Sequence, residues 1–505
     1  MQTPVRTRRV RKVMDSFGHI LAVDVGSSSV RCSLYGGAGV LAEHTGARFR
    51  YTFTSTREGR ATLDADELCE MIFKAVDEML ARAGEEAKSI AGVALSTFWH
   101  SFLGVDRQGR PTTPVLTWAD RRAVGAAGEL RERLDEAAIH QRTGCVLHSS
   151  YLPAKLLWLS RSFPEAFAES ERFLSPGEYL HLRLFGETRV GTSMASGTGL
   201  FDQNRKAWDE ELLDALPIEE QQLSPISDEP LRGLRGEWAR RWPSLADAPW
   251  FPAAGDGACS NVGSGCTRRD RLALMVGTSG ALRMLWRADS AEVPEGLWLY
   301  RSDAKRYVSG GALSDGGNLV AWLRRTLLLP EPEEAEKLLL GMEPDAHGLT
   351  FLPLLAGERG PSWADRANGV VAGLSMVTQP VEILRAAMEA VALRFALIAR
   401  KIDEDFPEGS AEREVIATGG GLLGSPAWTR IMADALGRPV TASAIQEASS
   451  RGAALLALEA LGGPPIEEVE APLGEVYAPD PSRHAVYRKA LDRQLELYDA
   501  VVQKK

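Results

Sequence analysis

Two short stretches of this chain, half a chain apart, repeat the same chemistry. Residues 20–25 form an apolar run that leads into Gly26 and three serines, and residues 272–276 lead in the same way into Gly-Thr-Ser-Gly at 277–280. A second apolar run follows each segment, so the pattern predicts two β-hairpins with turns made of glycine and hydroxyl residues. Small residues leave the backbone N–H groups of such a turn open to a phosphate oxygen. One hairpin in each half predicts two similar domains that close on one polyphosphate.

The length and composition favour a two-domain globular protein. A chain of 505 residues exceeds what one hydrophobic core usually serves, and 44% hydrophobic and 25% charged residues are typical of globular domains. We expect an N-terminal domain over 18–267, a C-terminal domain over 268–505 that ends in a helix, and a flexible basic extension over 1–17. Each domain is predicted to alternate strands and helices around a mixed sheet, with the ligand in the cleft between them.

The charge and the cysteines argue against several classes of protein. A formal net charge of −10 disfavours nucleic acid as the main partner. The five cysteines are scattered and odd in number, which favours reduced thiols over a disulfide framework. No run of residues is long and apolar enough to cross a membrane. These features predict a cytoplasmic protein whose partners are small molecules.

Asp256 is the first candidate catalytic residue. An apolar segment leads to it, and Gly255 and Gly257 flank it, so that backbone and substrate can approach a carboxylate held at a strand end. Such a carboxylate can accept the proton of a hydroxyl group that attacks a phosphoryl group. The motif by itself also fits an ordinary turn, because Gly-Asp-Gly is common turn chemistry.

Asp24 is an acidic residue inside an otherwise apolar strand. A buried carboxylate needs an ion pair, hydrogen-bond donors or a metal ion nearby. Because Asp24 precedes a phosphate-binding turn, we predict that it orients hydrated Mg²⁺. A structural salt bridge is the alternative.

A third glycine-rich segment, residues 419–424, follows a predicted strand and precedes a helix predicted to begin near Ser425. Consecutive glycines permit the close approach of a phosphate group or a flat ring at a helix start. A turn of this kind is common on its own. Its position after the two hairpins and Asp256 makes the whole pattern specific.

In this order the motifs resemble those of the FGGY carbohydrate kinases, within the superfamily of sugar kinases, Hsp70 and actin. The segment 369–389 matches the family's second signature, and residues 155–159 match part of the first, although Leu152 stands where a small or hydroxyl residue is usual. The resemblance implies an α/β fold of two ribonuclease-H-like domains with an inter-domain cleft. It also implies transfer of the γ-phosphoryl group of ATP, with Mg²⁺, to a terminal hydroxyl of a sugar or polyol.

The resemblance implies roles for individual residues. Asp256 would be the catalytic base, and Asp24 would lie beside the metal ion. The nucleotide-binding positions implied in this way are Ser27, Ser28, Ser29, Gly277, Thr278, Gly317, Gly420 and Gly424. A homodimer formed through the second half is also expected from the family.

The acceptor is expected to bind to the first domain. The implied substrate-binding positions are Trp99, His100, Trp118, Asp120 and Arg121, together with Asp256. They supply an aromatic wall with paired hydrogen-bond donors and acceptors, as a polyhydroxylated substrate requires. The alternatives are that Trp99 and Trp118 are core residues and that Arg121 and Arg122 form a surface pair.

Segments 117–121 and 195–209 are most similar to those of bacterial gluconokinases within the family, which predicts an acidic acceptor. The cations available to its carboxylate are Arg121, Arg122 and Lys155, with His148 when protonated. The sequence therefore favours ATP-dependent phosphorylation of D-gluconate to 6-phospho-D-gluconate. A xylulokinase, or another ketose or polyol kinase, is the first alternative. The second is a non-catalytic nucleotide-dependent switch on the same scaffold, against which the intact Asp256 argues.

Overall fold

The computed structural model describes residues 18–503 and contains two large sheets built to the same plan. The predicted basic extension, residues 1–17, lies outside the described residues. The strands of the first sheet are β1 (His19–Gly26), β2 (Ser29–Tyr35), β3 (Ala47–Arg50), β4 (Ile90–Thr97) and β5 (Ala254–Gly255). Their spatial order is β5-β4-β1-β2-β3. β1 pairs antiparallel with β2 and parallel with β4, which carries β5 as a parallel edge.

The second sheet repeats this order and adds one strand at each edge. Its strands are β6 (Arg271–Val276), β7 (Gly280–Arg287), β8 (Trp298–Asp303), β9 (Arg306–Leu313), β10 (Glu414–Thr418), β11 (Val440–Ser443) and β12 (Leu473–Tyr477). The five strands β11-β10-β6-β7-β9 have the order and directions of β5-β4-β1-β2-β3. The predicted duplication of an α/β unit with a mixed sheet is therefore present in the fold.

Both predicted hairpins are confirmed by the strand register. Gly26 pairs with Ser29, which leaves Ser27 and Ser28 as a two-residue turn. In the second hairpin Val276 pairs with Gly280, so residues 277–279 form the turn.

Helices pack against both large sheets, and the helices that the sequence predicts at 64–84, 381–406 and 484–502 are present with small shifts at their ends. The α-helices are Ala65–Ala83, Val124–Arg133, Glu136–Thr143, Leu152–Ser162, Pro164–Glu169, Pro176–Phe185, Thr192–Ser196, Glu210–Asp214, Gly236–Arg241, Asp256–Gly263, Gly317–Thr326, Pro332–Gly341, Pro380–Asp405, Gly420–Leu423, Pro426–Leu436, Ala448–Ala460 and Pro481–Tyr498. In a small three-stranded sheet, Ala61–Leu63 lies between Thr54–Ser55 and Val115–Leu116. The two-stranded sheets pair Leu103–Val105 with Arg172–Leu174, Phe201–Asp202 with Ala207–Trp208, and Thr350–Leu352 with Val370–Ala372. No helix among the described residues is long and apolar enough to span a membrane.

Two elements differ from the sequence-based expectation. The sequence predicts a strand over 40–53, but the structure confines it to β3, because the chain turns at Glu43 and His44, where His44 has a φ of 63°. β8 was not predicted and pairs antiparallel with β9 as the outer strand of the second sheet.

The helix Ala448–Ala460 belongs to the second half of the sequence but packs in the core of the first half. It crosses the helix Asp256–Gly263, and each helix has a glycine residue at the crossing, Gly452 and Gly263. A Cβ atom on Gly263 or on Gly452 would lie 1.8 Å from a backbone carbonyl oxygen of the other helix. Only glycine permits this distance, so the crossing fixes the helix that begins with Asp256.

We predict that Gly452→Ala destabilises the fold, because the added methyl group must push the two helices apart. Overpacking of this kind costs about 1–3 kcal/mol of the free energy of unfolding. Gly128→Ala is the matched control, since Gly128 lies on a helix with no atom within 4 Å of its Cβ position. There the substitution is expected to stabilise by about 0.5–1 kcal/mol. Chemical denaturation of both variants measures the difference, and equal stabilities would contradict the tight crossing.

Candidate active site

Asp256 lies where β5 ends and the helix Asp256–Gly263 begins. It borders a small cavity of about 60 Å³ that is lined by residues of both halves. A Cβ atom on Gly255 or Gly257 would lie 1.9 or 2.6 Å from the indole of Trp99. The flanking glycines are therefore required by the packed indole, and Asp256 is the first residue of a helix rather than part of an isolated turn.

The electrostatics of Asp256 suit a proton acceptor. Burial raises the pKa of its carboxyl to about 6, while the Arg283 guanidinium opposes the shift and Asp24 adds to it. The backbone N–H of Gly257 donates to Oδ1 at 2.8 Å. A carboxylate with a pKa near 6 is ionised at neutral pH and is a stronger base than an ordinary aspartate.

An aromatic wall forms one side of the cavity. Trp99 donates its indole N–H to the carbonyl oxygen of Ser193 at 2.9 Å, which fixes the ring. Trp298 and Tyr300 from β8 stack with centroids 4.3 Å apart, and the Tyr300 ring meets Trp99 edge-on at 5.1 Å. The predicted aromatic position Trp99 lies at the cavity, but two of its partners come from the strand that sequence analysis missed.

His100 follows Trp99 and borders the same cavity. Its backbone has a φ of 60°, and its Nδ1 donates to the carbonyl oxygen of Gly197, so Nε2 is the unprotonated nitrogen. Burial, and then the nearby Arg359 guanidinium, hold the pKa of His100 well below its usual value. His100 is therefore a neutral side chain with an acceptor nitrogen.

Trp118 connects the acceptor side to the first hairpin turn. Its indole N–H donates to Ser27 Oγ at 3.1 Å, and the Arg359 guanidinium lies over its ring at 4.7 Å. All three residues border both the small cavity and a second cavity of about 560 Å³. The first hairpin turn and the small cavity thus meet at Ser27.

Asp120 does not border either cavity. Its carboxylate is bound by the guanidinium of Arg122 at 2.6 and 2.9 Å and accepts from the backbone N–H of Ala61 at 3.2 Å. Arg121 borders the larger cavity and donates to the carbonyl oxygen of Asp365. The carboxylate of Asp120, a predicted substrate contact, is therefore engaged in an ion pair with Arg122.

Three of the side chains expected to be available to a substrate carboxylate have partners within the protein. The Lys155 ammonium is buried and donates to the carbonyl oxygens of His100 and Thr117 at 2.8 and 2.6 Å. His148 is paired with Asp365 at 2.8 Å, and Arg122 is paired as described above. These three side chains therefore already have partners within the protein, and those of Lys155 and His148 lie in distant segments of the chain.

Two arginines that sequence analysis missed border the small cavity, Arg283 on β7 and Arg359 in the loop after Leu352. Arg283 Nη1 and Arg359 Nε have no hydrogen-bond partner among the described residues. Burial lowers the pKa of both groups, that of Arg283 to about 10, so both are charged at neutral pH. Arg283 carried a signal in the sequence, a charged residue in a buried strand, of the kind that identified Asp24.

The structure contains the salt bridge that is the alternative prediction for Asp24, and metal binding by this residue stays a prediction. Its Oδ2 pairs with Arg31 at 3.1 Å, and Arg31 also pairs with Glu447 from the second half at 3.0 Å. Its Oδ1 is buried without a hydrogen-bond partner among the described residues, and burial raises the pKa of the carboxyl. A salt bridge therefore exists, and one carboxylate oxygen is left over, which fits a hydrated cation.

The predicted nucleotide-binding positions differ in their surroundings. Ser28 and Thr278 border the larger cavity, whereas Ser29 is the first residue of β2 and is fully buried. The Gly317 N–H donates to the carbonyl oxygen of Gly277 at 2.8 Å, which joins the second hairpin turn to a helix start.

The segment 419–424 turns into a short helix, in which the Gly424 N–H donates to the carbonyl oxygen of Gly420 at 3.1 Å. A Cβ atom on Gly420 would meet no atom within 4 Å. Nucleotide binding by these positions stays a prediction.

Comparison with known proteins agrees with this geometry. Residues 19–263 match the model of the N-terminal domain of the FGGY family of carbohydrate kinases, and residues 272–461 match the model of its C-terminal domain. The chain belongs to the FGGY family. It is a carbohydrate kinase with the two-domain fold of that family, whose members use ATP as the phosphate donor, generally with Mg²⁺. The predicted boundary at 267 and 268 stays a prediction.

The relatives include more than one acceptor specificity. The chain is 29% identical to a gluconokinase of Bacillus subtilis (strain 168) over 461 residues, which is 88% of each chain. The solved structure of a gluconate kinase from Lactobacillus acidophilus has a TM-score of 0.85 at 28% identity and covers 96% of this chain and 99% of its own. A ligand-bound xylulose kinase from the same organism has a TM-score of 0.85 at 28% identity, with 97% and 100% covered.

We predict that activity falls as the pH is lowered through about 6, because protonated Asp256 cannot accept a proton. Arg283→Met is expected to move this limb of the kcat/KM profile to higher pH, since the lost positive charge no longer lowers the pKa of Asp256. Arg283→Lys keeps a charge and serves as the control. Initial rates of ADP release between pH 5 and 8 measure the limb. An acidic limb that Arg283→Met leaves in place would contradict the assignment.

We predict that Lys155→Met raises the KM for the acceptor about tenfold, equivalent to about 1.4 kcal/mol, with little change in the KM for ATP. The ammonium joins the two loops that carry Trp99 and Trp118, so its loss lets both indoles move. Burial lowers the pKa of Lys155 to about 7. The acceptor KM of the wild type should therefore rise above pH 7, and Lys155→Arg should remove this dependence because a guanidinium stays charged. Equal increases in both KM values would instead indicate a general loss of structure.

Proposed function

We propose that this kinase transfers the γ-phosphoryl group of ATP to the 6-hydroxyl of D-gluconate. The observation that carries the proposal is the pair of arginines at the acceptor cavity. Arg283 and Arg359 are charged, border the cavity and retain guanidinium nitrogens without partners among the described residues. An acceptor that brings its own carboxylate would supply the missing partner in a geometry that arginine favours. A neutral ketose has no carboxylate, so these guanidinium groups would hydrogen-bond to water or to hydroxyl groups instead.

Asp256 is the proposed general base. Its carboxylate accepts the proton of the 6-hydroxyl as that oxygen attacks the γ-phosphorus in line, and ADP departs. The wall made by Trp99, Trp298 and Tyr300 supports the apolar face of the carbon chain, while Nε2 of His100 accepts a hydrogen bond from one of its hydroxyl groups. Closure of the two halves keeps water away from the reacting groups.

The donor is proposed to bind between the two hairpin turns. Ser27, Ser28 and Thr278 border the 560 Å³ cavity, and their hydroxyl and backbone groups are suited to phosphate oxygens. The unpartnered Oδ1 of Asp24 fits a hydrated Mg²⁺ ion, which when bound neutralises charge on the phosphates. Gly317, Gly420 and Gly424 are proposed to adjoin the nucleotide.

Two other functions remain as candidates. A xylulose kinase is supported by the similarity of its solved structure to this chain, which equals that of the gluconate kinase. A non-catalytic nucleotide-dependent switch on the same scaffold is disfavoured by Asp256, since a sensor has no use for a raised carboxyl pKa at an acceptor cavity.

The test is coupled ADP release with ATP and Mg²⁺ against gluconate, xylulose, ribulose, glycerol, glucose and fuculose. We expect turnover with gluconate to exceed that with the neutral acceptors. A preference for xylulose would be consistent with Asp256 as the base but would contradict an acidic acceptor. No ADP release with any of the six acceptors would support the nucleotide-dependent switch.

We further predict that Arg359→Met raises the KM for gluconate by at least about tenfold, the effect of losing one charge-assisted hydrogen bond. The KM for xylulose, measured as a neutral comparison, should change much less. Arg366→Met is the matched control, because Arg366 is exposed on the same loop. An equal effect of Arg359→Met on both acceptors would count against carboxylate binding by this residue.

A further inference from the structure

A serine, a histidine and an aspartate outside the acceptor cavity have the connectivity of a nucleophile, a base and an orienting acid. Ser150 Oγ lies 3.1 Å from His148 Nδ1, and His148 Nε2 lies 2.8 Å from Asp365 Oδ1. All three side chains are more than nine-tenths buried. Arrangements of this kind are recognised by geometry and roles rather than by position in the sequence.

The hydrogen bonds fix the protonation state of His148. The backbone N–H of Ser150 donates to Nδ1 at 3.1 Å, so Nδ1 carries the lone pair. Nε2 faces only acceptors, the carboxylate of Asp365 and the carbonyl oxygen of Glu358 at 3.1 Å, so it carries the proton. His148 is therefore a neutral imidazole whose basic nitrogen points to a hydroxyl group, as general-base activation of that hydroxyl requires.

The three residues border the cavity in which the donor phosphates are proposed to bind. The 560 Å³ cavity is lined by His148, Ser150 and Asp365 and also by both hairpin turns, through Ser27, Ser28 and Thr278. His148 and Ser150 belong to the first half of the chain and Asp365 to the second. The arrangement is therefore complete only when the two halves are closed.

Ser149 differs from its neighbour although both are buried hydroxyls. Its Oγ donates to Asp365 Oδ1, so its proton is held by a carboxylate and no histidine nitrogen is available to it as a base. Ser149 is a matched control within the same peptide.

We propose that Ser150 is a second phosphoryl acceptor, so that the closed enzyme phosphorylates itself when ATP is bound and no acceptor is present. Ser150 Oγ attacks the γ-phosphorus of ATP, the bond from that phosphorus to the bridging oxygen of ADP breaks, and the Oγ proton passes to His148 Nδ1. Asp365 stabilises the imidazolium that forms. The products are phosphoserine and ADP. This inference rests on the proposed function for its donor, ATP, but not on the identity of the acceptor.

The test incubates the purified full-length chain with radiolabelled ATP and Mg²⁺ without acceptor, followed by intact mass and peptide mapping. We expect the mass of one phosphoryl group on Ser150. Ser150→Ala and His148→Asn should each reduce labelling at least tenfold, while Ser149→Ala keeps it. Asp256→Ala should abolish acceptor turnover but retain the label, since His148 is the base for Ser150.

Three outcomes would overturn the proposal: no label in a wild type that phosphorylates its acceptor, a label that maps elsewhere, or a label lost in Asp256→Ala. Acceptor-dependent ADP release is measured on the same preparation. A wild type that labels Ser150 but turns over none of the six acceptors would overturn the proposed function and support self-phosphorylation, so the two failures are distinguishable.

Discussion

The close contact between two helices, one from each half of the sequence, is the constraint on which the site depends. At Gly263 and Gly452 the helices approach until only hydrogen atoms fit between one backbone and the other. The helix Asp256–Gly263 is thereby fixed on the first sheet, and the Ser449 hydroxyl donates to the carbonyl oxygen of Asp256 at 3.3 Å. Because Asp256 is the first residue of its helix, the backbone contact determines where the carboxylate lies.

The acceptor cavity draws its charge from both halves. Asp256 comes from the first half, and Arg283 and Arg359 come from the second. Burial raises the pKa of Asp256, and the Arg283 guanidinium limits that rise, so this carboxyl group is ionised at neutral pH. Arg31 makes a similar link between the halves, because it pairs with Asp24 of its own half and Glu447 of the other. If the two halves separated, Asp256 would lose the nearby guanidinium groups and Arg31 would lose its contact with Glu447. The charge distribution at the cavity therefore depends on closure of the two halves.

Several polar side chains that the sequence suggested as ligands have partners within the protein instead. Lys155 holds two loop carbonyls, Arg122 neutralises Asp120, and His148 reaches Asp365 across the cleft. A sequence shows which residues are polar or charged but not which of them already have a partner, because a partner can lie far along the chain, as for Lys155 and His148. Among the described residues, Arg283 and Arg359 at the small cavity each retain a guanidinium nitrogen without a hydrogen-bond partner, which only the structure shows.

The sequence alone determined the duplicated α/β plan, the two hairpins and the candidacy of Asp256 and Asp24, since these depend on local periodicity, turn chemistry and an acid in an apolar strand. It also determined the family, because its signature residues are contiguous. Tertiary structure decided that Gly255 and Gly257 accommodate an indole, that β8 completes the aromatic wall, and that Arg359 borders the cavity beside Asp256. These features depend on contacts between segments up to several hundred residues apart, and no local pattern records which segments a fold brings together.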